Sequence, residues 1–79
     1  MEYKVVEERI SPTKKYIFSW VKQGSLTIAV EVQDFFLDDK GHWKLGMMLL
    51  LPDPESVSTF VKNSPELDGA LNGLNTKWG

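Results

Sequence analysis

The chain has 79 residues, the length of one small domain, with no cysteine and a single histidine, His42. That excludes disulfides and thiolate or histidine-rich metal centres and leaves His42 to supply at most one member of a catalytic triad, and the longest apolar run, the five residues Met47–Leu51, falls far short of the roughly 20 a membrane helix needs. The net charge of −2 also excludes a domain that holds nucleic acid by bulk charge alone.

Residues 1–8 show no basic stretch followed by an apolar one, so they do not read as a secretion signal. Tyr3, Val5 and Ile10 alternate loosely and predict a weak first strand over residues 3–10, closed by a turn at Ser11-Pro12-Thr13. Residues 14–22 are aromatic and β-branched, the composition of a second strand, and Gln23-Gly24 supplies a tight turn. Residues 25–37 predict the clearest strand. Leu26, Ile28, Val30 and Val32 share one phase and are expected to be buried; Thr27, Ala29, Glu31 and Gln33 share the other and are expected to be accessible. Phe35 and Phe36 break the alternation and suggest a bulge or twist at the strand end. Asp38-Asp39-Lys40-Gly41 is a hairpin loop. Trp43–Leu51 follows as a fourth strand, whose apolar run implies burial on both faces.

Pro52-Asp53-Pro54-Glu55 switches the chain to helix, with Asp53 as N-cap and Pro54 in the first turn. Val57, Phe60, Val61 and Ser64 form one stripe, Asn63–Glu66 predicts a kink or second start, and Leu67, Leu71 and Leu74 extend the stripe toward a frayed end over residues 75–79. The expected fold is α+β: a four-stranded antiparallel sheet, covered on one face by a C-terminal helix, in a single domain spanning residues 1–79.

The order of these pieces resembles the single-stranded-DNA-binding domain of the positive cofactor four transcriptional coactivator family, including its bacterial and phage relatives. The resemblance covers residues 16–74. It rests on a Lys-containing hairpin closed by Gly24, the strand Leu26–Gln33 ending in Asp34-Phe35-Phe36-Leu37-Asp38, an acidic loop with Gly41, the element Lys44-Leu45-Gly46, and a helix start at Asp53-Pro54-Glu55. It implies a curved sheet, a homodimer joined through helices and strand ridges, and single-stranded DNA across the concave face. On that pattern Phe36 matches a stacking tryptophan and Lys44 a phosphate-binding lysine. Lys14 and Lys15 fall where the family is basic, Lys22 lies in the hairpin, and Trp20 or another hairpin residue stands for a second stacking aromatic. The chain departs from the family in carrying Met47, Met48 and Gln33 where cations are usual, which implies weaker binding, or binding that leans on stacking.

Read without the resemblance, Trp20, Phe35, Phe36 and Trp43 are core aromatics, Lys14, Lys15, Lys22 and Lys44 are solvated, His42 is a hairpin residue, and Asp38-Asp39 serves turn chemistry. The interleaving of cations with Tyr16, Trp20 and Trp43 favours sequence-tolerant single-strand binding, which combines base stacking with phosphate contacts. The expected DNA-binding set is therefore Lys14, Lys15, Trp20, Lys22, Phe36, Trp43 and Lys44. The expected function is single-stranded DNA binding by a homodimer in replication, recombination or transcription, in the cytoplasm, with no cofactor, no metal and no enzymatic activity. Replication or transcription proteins are further candidate partners. The alternative is a small protein-binding module or phage-encoded inhibitor of a host protein.

Overall fold

The computed structural model describes residues 2–67. Strands β1 (Glu2–Ser11), β2 (Lys14–Gln23), β3 (Leu26–Leu37) and β4 (Trp43–Leu51) form one antiparallel sheet in the order β1-β2-β3-β4. Helix α1 (Pro54–Lys62) and a 3₁₀ turn (Pro65–Leu67) follow. Each connection is short enough to dictate antiparallel neighbours. Gly24-Ser25 links β2 to β3 with a φ of 64° at Gly24, the first position of a two-residue hairpin that favours glycine. The Asp38–His42 hairpin is held by its first residue: Asp38 Oδ1 accepts the N–H of Lys40 (2.9 Å) and of His42 (2.8 Å), while Gly41 takes a φ of 80°.

Strand alternation sends one set of side chains to a common core. Tyr16, Phe18 and Trp20 from β2, Thr27, Val30 and Val32 from β3, Leu51 from β4, and Leu67 are buried together. The Tyr16 and Phe18 rings stack with centroids 6.0 Å apart, and Phe18 and Trp20 lie 5.7 Å apart. Val57 and Phe60 of α1 pack on this face, with Phe60 edge-on to Tyr16 at 6.3 Å. Among the described residues no helix covers the opposite face.

Three features correct the sequence expectations. Ile28 is an extra residue in β3, since Ala29 pairs with Val21 but Thr27 with Lys22. This bulge inverts the phase at the strand start, so Thr27 is buried and Leu26 exposed. The bulge near Phe35 lies on the neighbouring strand instead: Asp34 pairs with Met47 and Phe35 with Leu45, leaving Gly46 as the extra residue of β4. Finally, β4 is an edge strand and is not covered on both faces, with Met48, Leu49 and Leu50 exposed.

The helix begins as its sequence directs. Asp53 caps it by accepting the Ser56 N–H at 2.7 Å, and that bond holds the Asp53 carboxyl below its ordinary range. Glu55 and Lys62 sit at the ends that favour their charges. The helix stops at Asn63, and the chain restarts as the 3₁₀ turn at Pro65, so of the two expected alternatives, a kink or a second start, the structure has the second start. The stripe positions Leu71 and Leu74 and the expected frayed end lie outside the described residues. Among the described residues no helix is long and apolar enough to cross a membrane.

Candidate nucleic-acid interface

Lys14 and Lys15 open β2, Phe35 and Phe36 lie near the end of β3, and Trp43 and Lys44 open β4. Antiparallel pairing draws these six to one end of the sheet, and alternation then divides them between its faces. Lys14, Phe36 and Lys44 are cross-strand partners in one row on the helix-packed side. Phe36 is 49% exposed there, so the ring lies open between two lysines on adjoining strands. Lys15 and Phe35 form a row on the open face that continues to Arg9 of β1 and Leu45 of β4. Trp43 joins it, with Lys15 Nζ 4.3 Å and the Arg9 guanidinium 5.3 Å from its ring.

Lys14, Lys15 and Lys44 each have a carboxylate within reach. Lys14 Nζ donates to Glu66 Oε1 at 2.9 Å and lies 5.3 Å from the Tyr16 ring centroid. The Tyr16 hydroxyl donates to the same oxygen. That hydroxyl, and then the Lys14 ammonium, hold the Glu66 carboxyl below its ordinary value. In return the Glu66 hydrogen bond raises Lys14, while burial first and Glu66 second raise Tyr16. Lys15 lies 3.4 Å from Glu7, and Lys44 lies 3.9 Å from Asp38 Oδ2. A phosphate arriving here competes with three internal anions, which limits affinity from charge alone.

The other two expected residues lie elsewhere. Trp20 is 4% exposed and packed against Phe18 in the core, so it offers no free ring to a base. Its even spacing from Tyr16 and Phe18 along β2 is the signal that places it there. Lys22 is seven positions along β2 from Lys15, about 23 Å at the usual strand rise, and pairs with Glu2 and Thr27. The expected set lacks Arg9, Glu7 and Phe35, which the β1–β2 and β2–β3 registers bring to this end. Compared with family models, curated proteins and solved structures, the chain matches none.

Proposed function

We propose that the chain binds single-stranded DNA at this end of the sheet, as a homodimer serving replication, recombination or transcription. One observation carries the reading: the exposed Phe36 ring flanked in register by Lys14 and Lys44. A planar apolar platform beside two cations suits a base and its neighbouring phosphates, whatever the base. The sheet presents neither a helix nor a protruding ribbon shaped for the major groove of a duplex. The resemblance to the coactivator family supports the same reading through Phe36, Lys44 and Lys14.

The test is a fluorescence-anisotropy titration with a short oligonucleotide and its matching duplex at one salt concentration. Tighter binding of the single strand is expected. Absence of binding, or equal or tighter binding of duplex, overturns the proposal.

A further inference from the structure

Arg9 and Lys15 stand directly opposite each other on neighbouring strands, with both side chains on the open face. Like charges in that position repel and disfavour the pairing. Glu7 lies two positions before Arg9 on the same face and reaches both, 3.7 Å from Arg9 Nη2 and 3.4 Å from Lys15 Nζ. One carboxylate against two cations leaves one positive charge in excess. Lys15 is also unlike an ordinary surface lysine. Its side chain is only 15% exposed, and its ammonium lies near two rings, 4.3 Å from Trp43 and 6.0 Å from Phe35. Confining a flexible lysine costs conformational entropy, which its contact with the Trp43 ring and its pair with the half-exposed Glu7 offset. Beyond what it adds to folding, the cluster keeps one positive charge that a bound anion can meet. Two fixed cations around an indole, with Phe35 and exposed Leu45 in the same row, fit a phosphate attached to a planar apolar group.

We propose that Arg9, Lys15 and Trp43 form a second nucleic-acid subsite on the open face, and that Glu7 occupies its phosphate position until a phosphodiester displaces it. The inference rests on the single-strand-binding reading and extends it to a face that the Lys14–Phe36–Lys44 row does not reach. Lys14 and Lys15, Phe35 and Phe36, and Trp43 and Lys44 are sequence neighbours facing opposite ways at one end of the sheet. A strand rounding that end, past the turn at residues 11–13 and the Asp38–His42 hairpin, touches both subsites.

Arg9→Gln and Glu7→Gln test this, in titrations of a single-stranded oligonucleotide across a salt series. Arg9→Gln is expected to weaken binding several-fold at low salt and to make the slope of log K against log salt shallower by about 0.7, one phosphate contact. Glu7→Gln is expected to tighten binding about two- to fivefold at low salt, a gain that fades as salt screens the charges. Arg9→Lys keeps the charge and is expected to restore the slope, which separates lost charge from any local disturbance of β1. If the parent chain prefers single strands and Phe36→Ala weakens that binding, but Arg9→Gln and Glu7→Gln leave affinity and slope unchanged, the second subsite is refuted and the first stands. If the parent chain binds no oligonucleotide, both fall. Binding of poly-glutamate as tightly as the oligonucleotide also overturns the proposal, because it assigns the cluster to acidic peptide.

Discussion

Phe36 lies half exposed between Lys14 and Lys44, so truncating it removes a platform and opens no cavity. Phe36→Ala is expected to weaken single-strand binding by about 1–3 kcal/mol, the usual worth of one base–aromatic stack. The loss should persist at every salt concentration, because no phosphate contact is deleted, and the melting temperature should change little. A large drop in melting temperature with normal affinity in the folded fraction contradicts that role, since a buried Phe→Ala change costs about 3–5 kcal/mol of stability. Glu66 carries a different expectation. Its folded carboxyl is held below the ordinary 4.5, first by Tyr16 and then by Lys14, so its stabilisation is present above that value and fades as pH falls through the folded one. Tyr16 and Lys14 are raised from 10.0 and 10.5, so their share is present below those values and fades at higher pH. Glu66→Gln is therefore expected to flatten the acid limb of melting temperature against pH. The remaining acid sensitivity includes Asp53, also lowered. An unchanged acid limb in Glu66→Gln removes the assignment.

The bulges decide what each strand presents, and they explain which features could be read in advance. Gly46 is the extra residue of β4, and a Cβ there would lie 2.5 Å from Asp34 Oδ1 and 3.3 Å from its Cγ. Asp34 Oδ1 is itself buried without a hydrogen-bond partner among the described residues, so the carboxylate must give way. Gly46→Ala is expected to cost about 1–3 kcal/mol, the usual penalty of overpacking, and Asp34→Ala in the same chain should recover part of it. Additive losses in a double-mutant cycle of thermal melts would show that the two do not meet. The turns at Gly24 and Gly41, the Asp53 cap and the four strands were legible because a few adjacent residues determine each. The phases around Ile28 and Gly46 were not, because a bulge is defined by which residue on the next strand finds a partner. The site divides the same way. Lys14, Lys15, Phe36, Trp43 and Lys44 could be placed at strand ends, but their faces, and the membership of Arg9 and Glu7, depend on register. Trp20 was legible as core from its period with Tyr16 and Phe18, and its burial leaves the second stacking aromatic of the family pattern to another residue.

The whole sheet has two unequal edges, and the difference bears on assembly. The β1 edge carries Lys4, Glu7, Glu8 and Arg9, charges of the kind that discourage another strand from pairing. From Leu45 to Leu51 the β4 edge carries none, and Met48 and Leu50 are 59% and 64% exposed. A domain of this length removes only about 60% of its unfolded surface from water, so covering that edge with a second copy adds core that one chain cannot provide. The homodimer proposed above should therefore show a mass twice the 9.0 kDa of the chain by sedimentation equilibrium at micromolar concentration. Its melting temperature should rise with protein concentration, because association stabilises the folded state by mass action. A two-fold arrangement repeats any charge placed on a shared edge, so Met48→Lys with Leu50→Lys sets like charges against each other. That double variant should sediment as a monomer and lose the concentration dependence. Both side chains are exposed, so the isolated fold should keep its sheet by circular dichroism. A parent chain of 9.0 kDa at micromolar concentration removes the dimer. A parent dimer that survives both lysines keeps the dimer but moves its interface away from β4, toward the helix-bearing side.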